Sequence, residues 1–290
     1  MASVVVNVMI VVTGGIVRLS GSGLGCPTWP SCSGSSLVPT GDISPHKAIE
    51  FTNRTLTFVV GVVLLATLVV AWRQRREWKL AALALAGVPA QAVLGGILVL
   101  TDLNPWLVAA HFLLSAAIIA TTFLLWWRVS DHAPVTVPMP ALVLARALAG
   151  VAGLVLVFGT IVTGSGPHAG DVHNGKIRRI NVSPSALTHV HADAVMVLVG
   201  LTIGAVALTY ALRLPATVTR AALLLLGVEL VQGAIGYTQY FLNLPVALVA
   251  IHMLGACLVW LAALHLLFRV DAPRDRGSEG VGRPLGIAEE

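Results

Sequence analysis

The chain of 290 residues is far more apolar than a soluble protein. Hydrophobic residues make up 57% of it and charged residues only 11%, and the mean hydropathy is +0.88. This composition excludes a soluble globular enzyme and predicts an integral membrane protein. The formal net charge of +5 reflects basic residues gathered on one side of the membrane, and it carries no nucleic-acid signature.

Apolar runs near the roughly 20 residues that cross a bilayer recur along the chain. They predict eight transmembrane helices, at about 2–18, 46–71, 80–100, 105–127, 141–163, 185–212, 218–240 and 244–268. The first run lacks the polar leader and cleavage site of a signal peptide. It is short and starts at Met1, which leaves open that a few leading residues are absent from this sequence.

Lys and Arg orient the helices, because they accumulate on the cytoplasmic side of membrane proteins. With the N-terminus inside, twelve of the 18 lie in inner connections or the tail, and Arg54 lies within a helix. The five on the outer side are Arg18, Lys47, Lys176, Arg178 and Arg179. This distribution predicts that both termini are cytoplasmic, with residues 269–290 forming a disordered cytoplasmic tail.

The two long outer loops, at 19–45 and 164–184, are predicted to be structured. The first contains Cys26 and Cys32, on the oxidising side of the membrane where a disulfide persists. Their spacing allows a small closed loop without requiring one. Cys257 lies within the last helix, where an apolar packing role is expected.

An acid, an amide and a guanidinium stand at the head of the second helix as Glu50, Asn53 and Arg54. Steps of three and four residues place all three on one helix face. An ionisable side chain inside a membrane span is costly, so its presence is by default a functional hypothesis. The alternative is a structural ion pair between Glu50 and Arg54 near the headgroups.

The chain contains an internal repeat. At an offset of 141, residues 85–115 align with 226–256, which pairs Gln91 with Gln232, Gly95 with Gly236 and His111 with His252. The offset is 138 near residue 50, so Asn53 falls on His191, and it is 145 where IVRLSG overlays IVTGSG. Each half holds four helices, so both have the same orientation, as in parallel repeats. We therefore predict an all-α fold of two pseudo-twofold-related four-helix bundles, at 1–127 and 141–268.

Three histidines lie at similar depth in helices that enter from the outer face. His111 and His191 are about six residues into their helices and His252 about eight, roughly 9–12 Å below each start. Two histidines from facing helices can hold a haem iron between them, as cofactors are held in four-helix bundles. A lone histidine in a span is more often hydrogen-bonded packing. The matched depth and the repeat favour haem here.

Other polar residues are secondary at this stage. His189 cannot share a face with His191, and Asp193 is grouped with it. Histidines expected at the inner interface are His132 and His265, and those that could line a pocket entrance are His46, His168 and His173. Glu229 lies one turn before Gln232, so we expect it to face the bundle interior, protonated or paired with a polar group.

The segments TGGIVRLSGSGLGCPTWPSC at 13–32 and IEFTNR at 49–54 resemble the haem A synthase family. The similarity extends over about 1–268. It implies an enzyme of the bacterial plasma membrane that oxidises the C8 methyl of haem O to a formyl group, giving haem A for terminal oxidases. It also implies a haem b on His191 and His252, a substrate haem site with Glu50 and His111, and a cysteine pair at Cys26 and Cys32.

One residue departs from that family pattern. A second histidine is common three residues after the acid, and this chain has Asn53 there. Haem O would then be held by His111 alone, either leaving a sixth position open for oxidation chemistry or lowering activity. We expect Glu50 to act on the methyl carbon electrostatically or through a water. Arg54 and Arg18 are candidates for binding haem propionates.

Two further hypotheses belong to other functional classes. One is a bis-histidine haem electron carrier without synthesis activity, although such a carrier needs no acid beside its second site. The other is a haem-delivery protein or transporter, although transporters typically break helices at mid-membrane. For a synthase, the expected partners are a haem O synthase, the terminal oxidase assembly machinery and the lipid membrane, and a homo-oligomer is left open.

Overall fold

A computed structural model describes residues 1–130, 132–168, 170 and 178–271. Within these residues, eight helices are long and apolar enough to cross a membrane. They are α1 (Ala2–Leu19), α2 (Pro45–Arg73), α3 (Trp78–Leu100), α4 (Pro105–Val129), α5 (Met139–Ser165), α6 (Pro184–Ala211), α7 (Ala216–Phe241) and α8 (Val246–Arg269). The protein is therefore a multi-pass, all-α membrane protein, and every predicted helix bound is confirmed to within two residues.

Local sequence explains where the even-numbered helices begin. Ser44, Asn104 and Ser183 each accept a hydrogen bond from a backbone N–H in the first turn of α2, α4 and α6. A proline follows each of these caps, where its missing N–H costs nothing and its fixed φ suits a helix. Helix α8 begins at Val246, after Pro245. This start is two residues later than predicted.

Within each half, the helices pack around a ring. Helix α1 contacts α2 and α4, and α3 also contacts α2 and α4; the ring of α5, α6, α7 and α8 has the same order. Consequently α2 lies diagonally across from α4, and α6 diagonally across from α8. The axial candidates of each half are therefore carried by opposite corners of a bundle.

The repeat extends to an unusual turn. Asp102 and Leu103, between α3 and α4, both have positive φ (50° and 55°). Asn243 and Leu244, between α7 and α8, have the same conformation (59° and 60°) at an offset of 141. Two successive left-handed non-glycine residues are uncommon. Their recurrence is independent structural support for the duplication.

The two halves meet along α1 and α4 on one side and α5 and α8 on the other. Val8, Val11, Ile119 and Cys257 form a buried apolar cluster at this junction. Nearby, the indole Nε1 of Trp260 donates to the carbonyl of Ala116 at 3.0 Å. Cys257 is thus a buried packing residue, as the sequence indicated.

A short parallel strand pair was not predicted. Strand β1 (Val135–Thr136) in the connection between halves pairs with β2 (Val270–Asp271) after α8. Two-residue strands are too short for a period-two pattern to reveal. The first residues assigned to the tail, 269–271, therefore belong to α8 and β2, and the rest of that predicted tail, 272–290, lies outside the described residues.

Candidate functional site

The first outer loop is closed by a disulfide between Cys26 and Cys32, and both residues are fully buried. The Cys32 N–H donates to the carbonyl of Ser36 at 2.8 Å. The bridge confirms the cysteine pairing that the sequence allowed. It makes a compact loop directly over the start of α2.

Glu50 and Arg54 join this loop to α2. Arg54 donates from Nε and Nη2 to the same oxygen, Oε1 of Glu50, at 3.1 and 2.6 Å. Oε2 of Glu50 accepts the backbone N–H of Cys26 at 2.6 Å. Glu50 is only 6% exposed, so the ion pair lies within the protein and beside the disulfide.

The same guanidinium also holds the loop backbone. It donates to the carbonyls of Cys26 at 2.9 Å, Thr28 at 3.1 Å and Ser31 at 3.2 Å. These contacts bear out the shared face of Glu50 and Arg54, and they give the pair a structural role in seating the loop. They leave the proposed chemical role of Glu50 untested.

Trp29 closes the loop over the N-terminal half. Its indole rests on Gly96 of α3 so closely that any Cβ at that position would overlap the ring. Gly96 adjoins Gly95, which faces the ring of His111. No role for Trp29 was predicted from the sequence, because only the tertiary structure brings residues 29 and 96 together.

The four axial positions suggested by the repeat have the same kind of neighbour. Each side chain faces a glycine on a neighbouring odd-numbered helix, at a distance measured from the position that a Cβ would take. The pairs are Gly14 with Asn53 at 4.0 Å, Gly95 with His111 at 3.4 Å, Gly159 with His191 at 3.3 Å, and Gly236 with His252 at 3.2 Å. A glycine at each position therefore leaves the room that an imidazole ring needs.

The same four side chains each carry a buried polar atom that has no hydrogen-bond partner among the described residues. These atoms are Oδ1 of Asn53 and Nδ1 of His111, His191 and His252. Buried polar atoms are normally paired, and leaving one unpaired costs about 1–3 kcal/mol. Four such atoms at repeat-related positions indicate sites that are shaped for a bound group.

The donor set fits haem rather than a bare metal ion. In the described part of the chain, no group of three or more His, Cys, Asp or Glu side chains could hold a metal. Haem iron takes four ligands from its own porphyrin and needs only one or two from the protein. His191 and His252 lie on diagonally opposite helices of one ring, an arrangement that suits two ligands of one iron.

The three histidines lie at more similar distances from the starts of their helices than the sequence indicated. His252 is six residues past the first residue of α8, as His111 is past the first residue of α4, and His191 is seven past the start of α6. At 1.5 Å per residue these positions differ by about one residue rise. The agreement is closer because α8 starts two residues later than the sequence predicted.

The outer face also joins the two halves. Arg18 donates to the carbonyls of His168 at 2.8 Å and Thr163 at 3.0 Å, and a ring nitrogen of His168 lies 3.0 Å from the carbonyl of Leu244. Two donors of Arg18 are thus engaged with protein. Predicted loop residues His173 and Lys176 lie outside the described residues.

The remaining predicted polar residues lie apart from the axial positions. His189 and Asp193 are exposed, in keeping with their secondary rank. His46 lies at the mouth of α2, where its Nδ1 is 3.1 Å from Oγ of Ser22. His132 stacks on Trp127 at 4.5 Å, and His265 meets the same indole edge-on at 5.3 Å.

Glu229 is buried within the C-terminal bundle, as expected. It is 3% exposed, and its Oε1 lies 2.9 Å from the hydroxyl of Thr202, which is fully buried. The repeat places Leu64 and Val88 at the corresponding positions of the other half, where both belong to an apolar cluster. Equivalent positions therefore hold a polar pair in the C-terminal bundle and an aliphatic pair in the N-terminal bundle.

Comparison with known proteins gives the same family as the loop and helix motifs. A family model described as cytochrome oxidase assembly protein, COX15-CtaA, matches residues 1–264. The chain is 38% identical over 129 residues to a protein named heme A synthase from Lysinibacillus sphaericus. It is 34% identical over 128 residues to one of that name from Listeria welshimeri, and 30% over 112 residues to one from Geobacillus thermodenitrificans.

These relatives are matched over only part of their length. The aligned segments cover 43, 42 and 37% of this chain, and 41, 42 and 34% of the respective relatives. Each aligned segment, at 112 to 129 residues, is less than half as long as the chain. By contrast, the family model extends across both halves.

Proposed function

This chain belongs to the COX15-CtaA family of cytochrome oxidase assembly proteins, and we propose that it is a haem A synthase. In this proposal it oxidises the C8 methyl of haem O to a formyl group and supplies haem A to terminal oxidases. The observation that carries the proposal is the set of four repeat-related axial positions, each facing a glycine and each holding an unpaired polar atom. Its expected location is a bacterial plasma membrane with both termini cytoplasmic.

The C-terminal half is the site of a resident haem b. His191 on α6 and His252 on α8, at opposite corners of the bundle, would hold its iron. With an imidazole on each side, the haem would supply electron transfer. Gly159 and Gly236 leave the space in which the two rings are held.

The N-terminal half is the substrate site. Haem O is the molecule to be modified, and His111 on α4 is its axial ligand. Asn53 stands where the other half has its second imidazole, and an amide is a poor iron ligand. The substrate iron is therefore held from one side.

Glu50 is the group that acts on the methyl carbon in this proposal. Conversion of a methyl to a formyl group adds the oxygen of one water and releases four protons and four electrons. In this proposal the electrons would leave through haem b to an electron acceptor in the membrane, and positive charge develops at the reacting carbon. A fixed carboxylate stabilises such charge, or accepts a proton from an attacking water. Arg54 and the Cys26 N–H orient the carboxylate.

Mass spectrometry of extracted haems tests the activity. Cells that make haem O, because they co-express a haem O synthase, should accumulate haem A or its hydroxylated intermediate when this chain is present. A His111→Ala variant that still contains haem b is the matched control, and it should yield haem O only. Haem O alone with the unmodified chain would instead indicate an electron carrier or a haem-delivery protein.

The haem b assignment has its own test. The purified protein should show a low-spin, bis-imidazole haem b spectrum. The spectrum should be lost in His191→Ala and His252→Ala and retained in His189→Ala, whose exposed side chain lies two residues away. Full haem b occupancy in His252→Ala would refute the assignment.

A further inference from the structure

A glutamine holds the axial histidine helix in each half. Gln91 on α3 donates from Nε2 to the carbonyl of His111 at 3.0 Å. Gln232 on α7 makes the same hydrogen bond to the carbonyl of His252 at 2.8 Å. The two glutamines are equivalent in the repeat. Each therefore fixes the position of α4 or α8 at the residue that projects the imidazole.

Each glutamine also presents an unpaired acceptor. Oε1 of Gln91 and Oε1 of Gln232 are both buried without a hydrogen-bond partner. Oε1 of Gln232 rests directly on Gly255, three residues beyond His252 on α8, where any Cβ would overlap it. A buried acceptor left unpaired in both halves indicates a hydrogen bond that forms only in the loaded protein.

The imidazole supplies the donor of that hydrogen bond. Nδ1 is the unpaired nitrogen of both His111 and His252. An imidazole that binds iron through Nε2 carries its proton on Nδ1, and such ligands almost always donate it to a neighbouring acceptor. That hydrogen bond fixes the ring orientation and makes the ligand more basic. Each half thus contains an unpaired imidazole nitrogen and an unpaired glutamine oxygen, and the glutamine is already bonded to the backbone carbonyl of the same histidine.

We propose that Gln91 and Gln232 are positioning residues for the axial histidines. In each, Nε2 holds the backbone of the histidine, and Oε1 accepts its Nδ1 proton, directly or through one water, when iron is bound. The identity of the bound group rests on the proposed function. The hydrogen bonds and the unpaired atoms are properties of this chain.

The two halves differ at one contact. In the N-terminal half, the hydroxyl of Ser115 accepts from Nε2 of Gln91 at 2.6 Å and donates to the carbonyl of His111 at 3.1 Å. The repeat places Ala256 at the corresponding position of the other half. Gln232 therefore depends on the His252 carbonyl alone. Its substitution is the sharper test.

The experiment compares Gln232→Leu, Gln232→Glu and Gln91→Leu in the full-length, haem-loaded protein. Gln232→Leu removes donor and acceptor, so haem b affinity should fall about 10–100-fold and the haem b midpoint potential should rise. Gln232→Glu keeps an acceptor, so the potential should stay at or below that of the wild type. Gln91→Leu makes the equivalent change in the other half and should leave the haem b potential unchanged.

Two results would overturn the inference. One is Gln232→Leu with wild-type haem b affinity and potential. The other is Gln232→Glu with the same raised potential as Gln232→Leu, which would reduce Gln232 to a packing residue. A wild-type protein that binds haem b but leaves haem O unconverted would refute the synthase activity and not this inference.

Discussion

Asn53 is the residue that makes the N-terminal site different from the otherwise equivalent C-terminal site. It occupies the position that His191 takes in the other half, and Gly14 faces it as Gly159 faces His191. With Nδ2 of Asn53 4.0 Å from the position of a Gly14 Cβ, the smaller amide leaves more room than the imidazole does. The surroundings thus still suit a ring that this chain lacks.

Asn53→His should therefore create a second bis-imidazole site. The introduced imidazole would have the same glycine behind it as His191 has, and it would lie diagonally opposite His111. Protein loaded with haem in both halves should show two low-spin bis-imidazole haems per chain in place of one, measured by electron paramagnetic resonance. The haem A yield of the same variant shows whether leaving one ligand position of the substrate iron unfilled, as Asn53 does, aids oxidation or limits it.

Gly14→Ala combined with Asn53→His is the control for that result. A methyl group on α1 would crowd the introduced ring, while alanine favours a helix over glycine by about 0.8–1.0 kcal/mol. The second low-spin haem should disappear although the fold is not weakened. Its persistence would mean that Gly14 does not shape the site.

Glu50→Gln separates a chemical role from a structural one. The amide keeps the shape of the side chain and removes the charge. If Glu50 stabilises developing charge, haem O should still bind while conversion falls about 10²–10³-fold, the scale for losing one preorganised group. The measurement is haem A yield normalised to haem b content, which corrects for the amount of folded protein.

Arg54→Gln is the companion to that variant, because Arg54 anchors the loop through three carbonyls. If Glu50 serves only to seat the loop, both variants should lower expression and leave the normalised yield near normal. A normal ratio in Glu50→Gln would end the catalytic interpretation of this residue.

At the scale of single elements, the glycines of α7 are not equivalent. A Cβ at Gly236 would lie 3.2 Å from Cε1 of His252, whereas nothing lies within 4 Å of one at Gly233. Both substitutions to alanine favour the helix itself by about 0.8–1.0 kcal/mol. Only alanine at position 236 would displace the imidazole of His252.

We therefore expect Gly236→Ala to lower haem b affinity about tenfold, the lower end of the range for changes around a metal ligand. Gly233→Ala should bind haem b as the wild type does. Haem titration of the two purified proteins checks the difference. Equal affinities would show that the glycine at 236 is not needed for the ring.

The disulfide loop is the second element with a direct test. Cys26 and Cys32 are bonded and buried, and the backbone of Cys26 contacts both Glu50 and Arg54. Neither thiol should be labelled until a reductant is added, and Cys257, a free buried thiol, serves as the unchanged reference. Labelling of both loop cysteines in untreated protein would contradict the bridge.

At the scale of the whole molecule, the helix ring repeats in the same order and the halves meet through α1, α4, α5 and α8. An even number of helices per half requires equal orientation in the membrane. The excess of Lys and Arg in the connections on one side predicts that this side, with both termini, is cytoplasmic, as the positive-inside rule describes.

Reporter fusions test that orientation. Alkaline phosphatase, which is active only outside the cytoplasm, should be inactive at the C-terminus of the full chain and active when fused after Thr40 in the first outer loop. A green fluorescent protein at the C-terminus should fluoresce. The opposite pattern would invert every inner and outer assignment, including the compartment of the disulfide.

The sequence by itself determined the helices and the internal repeat, and it identified the three histidines that we propose as haem ligands. Hydropathy alone defines a span, because a bilayer requires about 20 apolar residues whatever they pack against, and the repeat was legible in pairs such as His111 with His252. The Cys26–Cys32 bridge was allowed by the sequence, and the tertiary structure made it definite.

Only the tertiary structure decided how each site is enclosed. Trp29 on Gly96, Arg54 on the loop carbonyls and Gln232 on the His252 carbonyl join residues that are 20 to 67 positions apart. No local pattern encodes such contacts, because helix crossing geometry and loop closure bring these residues together. The sequence does not distinguish a glycine that faces an imidazole from any other glycine in a transmembrane helix. Whether a glutamine Oε1 has a hydrogen-bond partner likewise depends on the residues that surround it in the fold.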